Sequence, residues 1–386
     1  MFFSQKEKGD HHLCVIDIGS GTVAGAFVDI SKNEQPQIRF TFRSNIKQAR
    51  SGVPYKRYYL SMIASLEEVL RKLAQNTKEL PEEIVVYLRA PWVDSTLRSI
   101  KKESKKEFTF TQKDFKKIIN DDNTLFAKEL SESSMSEEGF TIVDQRVESF
   151  KINGYEVEKM PKSIMAKKIE IKTFTTVAPS DFIQEIENVI FSEFDIELNF
   201  SSFSRSICNL SKQFMPEVKD YLLFDVGALV TEISVVKNCQ AIETMTLPQG
   251  FTHINEKLYA NNIVSDGLVD AYVNEHTTSI VNSQIKNLVT DAKAKWVDLV
   301  SKTLNRFSGE LALPSTIVLM TEDTKPAFFA KALKDESFAQ YLVTDKKFNV
   351  IIISTSAFEN VCKLDKCKPD ALLMAEVINI KNKYYA

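Results

Sequence analysis

One apolar hairpin sequence occurs twice in this chain, and the repeat narrows the possible folds more than any other pattern. Residues 13–30 read LCVIDIGSGTVAGAFVDI, and residues 221–236 read YLLFDVGALVTEISVV. Each copy is an apolar strand that runs into Asp-[Ile/Val]-Gly and then, after a short stretch, into a second apolar strand. This is the pattern of a β-hairpin. The repeat therefore predicts two halves of like fold that face a common cleft.

The two turns carry groups that suit a nucleotide. Asp17 and Asp225 end buried strands, where a carboxylate needs a cation, water or backbone donors to offset its loss of hydration. The turn residues beside them allow close approach of a ligand and offer N–H and hydroxyl donors: Gly19, Ser20, Gly21, Thr22 and Gly227. Donors that cradle phosphate, with carboxylates that hold a hydrated divalent metal, would form a nucleotide cleft. The alternative is two ordinary hairpin turns, since Asp and Gly are favoured there in any case.

Composition excludes several classes of protein. With 386 residues the chain exceeds the size at which a single core stops growing, so we expect two or more domains. The formal net charge of -3 gives no broad electrostatic reason to bind nucleic acid. The 5 cysteines indicate reduced, buried thiols and neither a disulfide framework nor a zinc site. The N-terminus lacks a signal-peptide core, and no run reaches the ~18 apolar residues of a membrane helix, so we expect no transmembrane segment.

Strands and helices alternate along the chain, which predicts an α/β protein. An amphipathic helix is expected over about residues 58–74, with Leu60 on its apolar face. The Asn153-Gly154 pair predicts a tight turn between two strands. The C-terminal segment is interpreted as the last core helix and strand with a short tail. The expected domains are a first lobe over 1–83 and 179–218, an inserted α+β subdomain over 84–178, and a second lobe over 219–386.

The order of these parts resembles the actin-like ATPase superfamily, and within it the bacterial cell-division protein FtsA and the type IV pilus protein PilM. VIDIGSGTVAGAFVDI is similar to the first phosphate loop of the superfamily, and FDVGALVTEISVV with TLPQGFTHINEKL is similar to the second loop and the following glycine. The resemblance implies a two-lobed actin-like ATPase fold, that is, duplicated ribonuclease-H-like domains with a small inserted α+β subdomain. It covers nearly the whole chain, but only the two hairpins are specific.

The resemblance also implies roles for individual residues. Asp17 would position a metal-bound water, Asp225 would be the second carboxylate near the metal, and both are thereby candidate catalytic residues. The residues implied to contact ATP, with Mg²⁺ as its metal, are Gly19, Ser20, Gly21, Thr22, Gly227, Ala228 and Gly250.

Two departures from the superfamily pattern weaken that implication. Leu229 and Val230 replace small residues of the second loop and would narrow a phosphate site. Thr321, Glu322 and Asp323 stand where the adenosine motif has glycines, and two acidic side chains there would crowd and repel an anionic ligand.

Three functions follow as hypotheses. The first is an FtsA-like scaffold in cell division that links proteins to the inner face of the membrane, with nucleotide as a switch and self-association into filaments or dimers. The second is a PilM-like protein that binds a cytoplasmic peptide of a pilus or secretion membrane protein, as an active or a non-hydrolysing member. The third is a sugar-kinase-like phosphotransferase, against which no general base can be nominated. The first two place the protein in the cytoplasm, at the membrane face through protein partners.

Overall fold

A computed structural model describes residues 10–77, 79–133, 139–157, 159–253, 256, 283–310, 312–322, 326–334, 336–342 and 347–385. The chain divides into two compact units, one formed by Met1–Pro91 with Asn188–Ala386 and the other by Trp92–Glu187. The first unit contains two sheets and the second unit contains one.

The strands among the described residues are, in chain order, β1 His11–Ile18, β2 Thr22–Ile30, β3 Gln37–Asn45, β4 Glu83–Leu88, β5 Asp94–Thr111, β6 Phe140–Ile152, β7 Tyr155–Glu156, β8 Ser163–Pro179, β9 Glu197–Ser202, β10 Tyr221–Val226, β11 Thr231–Lys237, β12 Gln240–Leu247, β13 Thr316–Thr321, β14 Asn349–Ile352 and β15 Lys363–Leu364. The α-helices are α1 Tyr55–Asn76, α2 Gln112–Ser133, α3 Ser180–Glu193, α4 Phe203–Phe214, α5 Ser283–Glu310, α6 Pro326–Leu333 and α7 Ala371–Tyr385. Short 3₁₀ helices cover Glu336–Tyr341 and Thr355–Ala357.

The two sheets of the first unit repeat one topology. The first sheet has the order β15-β3-β2-β1-β4-β9 and the second has the order β12-β11-β10-β13-β14. In both, an antiparallel three-stranded meander is followed by two strands that run parallel to its first strand. Strand β4 therefore corresponds to β13, and the β1–β2 hairpin corresponds to the β10–β11 hairpin. We call these two halves the first lobe and the second lobe, and they confirm the predicted duplication.

Helices cover the sheets with apolar faces that the sequence spacing explains. In α5, Val289, Trp296, Val300, Leu304 and Phe307 recur at intervals of three, four or seven and are all buried in the core of the second lobe. Helix α1 packs in the same way on β2 and β3 of the first lobe.

Two expectations about helices were wrong in detail. Leu60 was assigned to the apolar face of α1 but is 55% exposed, because the buried stripe of this helix instead follows Tyr58, Met62, Leu66 and Leu73. The C-terminal segment forms a single helix, α7, whose side chains from Leu372 to Ile380 are all buried. Among the described residues no strand follows it, since the helix continues to Tyr385 and packs against α4, β1 and β2.

The unit Trp92–Glu187 is an α+β unit, described here by itself. Its sheet has the order β5-β8-β6-β7, and the predicted Asn153-Gly154 turn joins β6 to β7. Asn153 and Gly154 both have positive φ, 51° and 89°, which is the backbone of a two-residue hairpin loop of type I′. Phe110, Phe150 and Ile171 form a core with Phe115 and Ile118 of α2. The predicted boundaries at residues 84 and 178 stay a prediction.

Candidate functional site: an ion cluster between the two turns

The turns of the two hairpins have the same backbone geometry. The N–H of Gly19 donates to the carbonyl of Thr22 at 3.0 Å, and the N–H of Gly227 donates to the carbonyl of Val230 at 2.9 Å. In register, Asp17 lies opposite Ala24 in the first lobe and Asp225 lies opposite Glu232 in the second. The hairpin prediction is thus confirmed in both copies, and the two aspartates lie at equivalent positions one residue before the end of their strands.

The residues that follow the parallel strands β4 and β13 are also equivalent, and they carry opposite charges. The N–H of Arg89 donates to the carbonyl of Ile18 at 3.2 Å, and the N–H of Glu322 donates to the carbonyl of Val226 at 3.1 Å. Their side chains meet between the lobes, where Nη1 of Arg89 lies 3.1 Å from Oε1 of Glu322. Both side chains are 1% exposed, so this contact is fully buried.

Arg89 is committed chiefly to Asp225 of the other lobe. Its Nε donates to Oδ2 of Asp225 at 2.9 Å, and its Nη2 donates to Oδ1 of the same carboxylate. Planar, two-point pairing of this kind is the strongest form of an arginine–carboxylate contact. The guanidinium also lies over the ring of Phe203, 4.6 Å from the ring centre. Asp225 is therefore held by an internal cation at the position where a metal role was predicted for it.

Glu322 crosses in the opposite direction, to the turn of the first lobe. Its Oε1 accepts the N–H of Ser20 and its Oε2 accepts the N–H of Gly21, both at 3.0 Å. These are two successive N–H groups of the predicted phosphate loop. A side-chain carboxylate thus takes the backbone donors that the sequence assigned to a phosphate group.

Asp17 has a different surrounding from Asp225. Its Oδ2 lies 3.3 Å from Nη2 of Arg43 and 3.9 Å from Nη1 of Arg89, and its Oδ1 has no hydrogen-bond partner among the described residues. Arg43 is shared, since its Nε donates to Asp370 at 2.8 Å and its Nη1 donates to the hydroxyl of Thr22. We call Asp17, Arg89, Asp225 and Glu322 the ion cluster, with the Arg43–Asp370 pair beside it.

Acidic groups outnumber basic ones here, and the pKa shifts follow from that. Burial, and then the neighbouring charges of Asp17 and Asp225, raise the pKa of Glu322, while Arg89 lowers it without cancelling the rise. Burial also raises the pKa of Asp17, against the opposing effect of Arg89 and Arg43. Burial alone would lower the pKa of Arg89, but the charges of Asp225, Glu322 and Asp17 raise it well above its ordinary value. A further polyanion would add to an existing excess of buried negative charge.

The glycines of the two turns are used for packing between the turns. A Cβ on Gly21 would overlap the side chain of Ala228, and a Cβ on Gly227 would overlap the hydroxyl of Ser20. The N–H of Leu229 donates to that same hydroxyl at 3.2 Å. The first and second turns are therefore in direct contact, with no space for another group between these atoms.

Gly250 closes the same contact from the other side of the second turn. A Cβ on it would overlap the carbonyls of Gly227 and Ala228. The next two residues, Phe251 and Thr252, donate their N–H groups to those carbonyls at 3.0 Å each. The second turn thus uses its carbonyls to hold the segment that follows Gly250.

The residues of the site do not fit ATP with Mg²⁺ in this arrangement. The first-turn donors are taken by Glu322, Asp225 is paired with Arg89, and the turns touch at Gly21 and Ala228. No group of three or more His, Cys, Asp or Glu side chains able to hold a metal ion occurs within the described ranges.

The structure brings the predicted site residues together, but their catalytic, metal-binding and nucleotide-binding roles stay predictions. The residues named for those roles, Asp17, Gly19, Ser20, Gly21, Thr22, Asp225, Gly227, Ala228 and Gly250, all lie in or against the two turns. Sequence reasoning missed Arg89 and Arg43. A signal for Arg89 was present, because an arginine directly after the apolar run IVVYL is costly to bury without a carboxylate. Glu322 was expected to repel an anionic ligand, and its carboxylate also occupies the backbone donors predicted for a phosphate group. Asp323 lies outside the described residues.

No protein-family model and no curated protein matches the sequence. Among solved structures, the chain is similar to a "PilM-PilN type IV pilus biogenesis complex" with a TM-score of 0.63 and 12% identity, over 99% of this chain and 100% of that one. The chain has an actin-like ATPase fold of the PilM type. At this identity the likeness establishes the fold, and it covers both lobes together with the inserted unit.

Two other proteins are matched with lower TM-scores. One is the ethanolamine utilization protein EutJ from Carboxydothermus hydrogenoformans, at 11% identity and a TM-score of 0.43 over 100% of this chain and 93% of that one. The other is a Bacteroides thetaiotaomicron protein with an actin-like ATPase fold, at 10% identity and a TM-score of 0.42 over 95% and 96%. They add nothing to the assignment. No helix in the described part of this chain is both long and apolar enough to cross a membrane.

Proposed function

We propose that this chain is a PilM-type assembly protein that binds a cytoplasmic segment of an inner-membrane protein of a type IV pilus or a related secretion system. It works without hydrolysing nucleotide. The partner class comes from the fold, since the similar PilM structure is that of a complex with PilN. The site of action is then the inner face of the membrane, which the protein reaches through its partner.

The two-point pairing of Arg89 with Asp225 is the observation that supports a function without nucleotide hydrolysis. Metal-dependent phosphoryl transfer needs a carboxylate that is free to bind the metal or its water. In this chain Asp225 is neutralised by an arginine from the other lobe, and the pair is fully buried. An ATPase would have to break this pair in every cycle, whereas a binding protein benefits from it as a fixed link between the lobes.

The test is a titration of the whole chain with a fluorescent peptide from the cytoplasmic segment of the PilN-like protein of the same genome. Binding followed by fluorescence anisotropy is expected without nucleotide, with the same affinity in millimolar ATP and Mg²⁺ and without phosphate release. A peptide of the same composition in scrambled order is the control.

Two results would contradict the proposal. One is the absence of peptide binding under all conditions. The other is phosphate release that disappears in an Asp225→Asn variant, which would identify the protein as a hydrolase. The cell-division role has no observation of its own in the structure and stays a prediction, as does self-association into filaments or dimers.

A further inference from the structure

The geometry of the first turn points to an inference that goes beyond the proposed function. We propose that Glu322 is the permanent internal occupant of an anion site built from the first turn and Arg89. We further propose that the site binds phosphate-class anions when this carboxylate is removed. The ligand class is the inorganic or nucleotide polyphosphate, recognised through its terminal oxygens.

Two hydrogen bonds and one ion pair converge on the Glu322 carboxylate from two directions. The N–H groups of Ser20 and Gly21 each lie 3.0 Å from one of its oxygens, and Nη1 of Arg89 lies 3.1 Å from Oε1. Successive backbone N–H groups that point at one place form a concave anion site, and an adjacent guanidinium adds a full positive charge. This donor set recognises an oxygen anion without regard to what carries it.

Packing between apolar groups does not account for an acid at position 322. The side chain is 1% exposed and shares the ion cluster with Asp17 and Asp225, so its charge is both desolvated and repelled. A neutral side chain would avoid these costs. The carboxylate is tolerated because it accepts hydrogen bonds from two N–H groups of the first turn, which would otherwise lack an acceptor, and because Arg89 supplies an opposite charge.

The occupant also joins the two lobes. Glu322 belongs to the second lobe and binds the turn of the first, while Arg89 belongs to the first lobe and binds Asp225 of the second. Each lobe therefore contributes one charged side chain to the other. In a protein of this fold that is switched by nucleotide, the bound ligand would have to connect the two lobes. In this chain, side chains make the connection without a ligand.

Removing Glu322 should leave a folded protein whose anion site has lost its internal occupant. In Glu322→Ala, Arg89 keeps its two-point contact with Asp225, and the excess of acidic over basic groups in the ion cluster falls by one. The N–H groups of Ser20 and Gly21 then lose their acceptor, and Nη1 of Arg89 loses its ion-pair partner. A phosphate oxygen is the ligand that satisfies them.

The experiment compares pyrophosphate binding, without divalent metal, by wild type and Glu322→Ala, using calorimetry and the shift in Tm with ligand concentration. We expect the variant to bind pyrophosphate at least about tenfold more tightly than wild type. A factor of ten in affinity is about what one charge-assisted hydrogen bond contributes. Glu359→Ala, which removes an exposed acid, is the control for net charge and should behave as wild type.

Adding Arg89→Gln to Glu322→Ala should abolish the gain in pyrophosphate affinity. If Glu322→Ala does not fold, Glu322→Ser, which also removes the occupying group, replaces it in the same comparison.

Equal binding by wild type and the variant, or no binding by the folded variant, would overturn the inference. Either result is separate from the proposed function, which depends on whether wild type binds the PilN-like peptide. Wild type that binds peptide while Glu322→Ala gains no anion affinity leaves the function standing and ends the inference. A gain in anion affinity supports the inference even if no peptide is bound.

Discussion

The two lobes share a backbone plan and differ in the charge placed at one equivalent position. After the parallel strand β4 the first lobe has Arg89, and after the corresponding strand β13 the second lobe has Glu322. Each side chain reaches across to the other lobe, Arg89 to Asp225 and Glu322 to the N–H groups of Ser20 and Gly21. The shared topology places these two residues at equivalent positions. Because their charges are opposite, each can bind the hairpin turn of the other lobe, and the two lobes are linked.

The loop aspartates show the same divergence. Asp225 has both oxygens on Arg89, whereas Asp17 shares Arg43 with Asp370 and leaves Oδ1 without a partner among the described residues. In a metal-dependent ATPase both carboxylates would serve one ion. Here Asp225 is an ion-pair partner and Asp17 is a buried carboxylate with a raised pKa, so we expect the two lobes to respond unequally to substitution.

The largest effect is expected from Arg89→Ala, because this side chain is the cation that both lobes share. The change leaves Asp225 and Glu322 buried without their counter-ion, which should cost about 3–5 kcal/mol of unfolding free energy. Urea unfolding followed through Trp296, in a Trp92→Phe background, reports on the second-lobe core. Lys302→Ala, which breaks an exposed pair with Asp298, should change stability by only a few tenths of a kcal/mol. Similar losses in the two variants would mean that the lobes are not joined through Arg89.

Much of the fold could be predicted from the sequence, because the features that set it are local. Strand alternation, the Asp-Gly turns and the repeat of residues 13–30 at 221–236 specify two like sheets without any knowledge of tertiary contacts. The ion cluster could not be predicted in the same way. Arg89 and Asp225 are 136 positions apart, and Ser20 and Glu322 are 302 apart, so their pairing appears only once the sheets face each other. Sequence reasoning identified Glu322 as an obstacle to an anion but had no means of locating the donors that it binds.

A second difference between the lobes is a buried acidic residue whose pKa is affected by the charge of Asp17. Glu376, on α7, is completely buried, and neither carboxylate oxygen has a hydrogen-bond partner in the described part of the chain. Burial, and then the charge of Asp17, raise the pKa of Glu376 well above its ordinary value near 4.5, although Arg89 and Arg43 act in the other direction. A raised pKa means that the folded state holds its proton while the unfolded chain releases it. The contribution of Glu376 to stability is therefore present below pH 4.5 and is lost as the pH rises toward the folded pKa.

Glu376→Gln should remove this dependence while keeping the size of the side chain. We expect equal stability of variant and wild type near pH 4.5, and at higher pH an advantage of the variant that grows by about 1.4 kcal/mol per pH unit for as long as the folded state keeps the proton. Urea midpoints measured across this range test it. If the stabilities of the two proteins change with pH in parallel, Glu376 is ionised in the folded state. The lobes would then not differ in this respect.

The smallest and most direct comparison is between the matched variants Asp17→Asn and Asp225→Asn at neutral pH. Asp225→Asn replaces a charged two-point contact and leaves Arg89 with only Glu322 at 3.1 Å and Asp17 at 3.9 Å, so a loss of about 1.5–3 kcal/mol is expected. Asp17→Asn leaves Arg43 on Asp370 and Arg89 on Asp225, and it removes a carboxylate whose pKa burial has raised. We expect it to change the unfolding free energy by less than about 1 kcal/mol, and in the stabilising direction. Equal losses would indicate two equivalent carboxylates, as a shared metal site requires. Unequal losses would show that duplication preserved the positions of the two aspartates while their chemistry diverged.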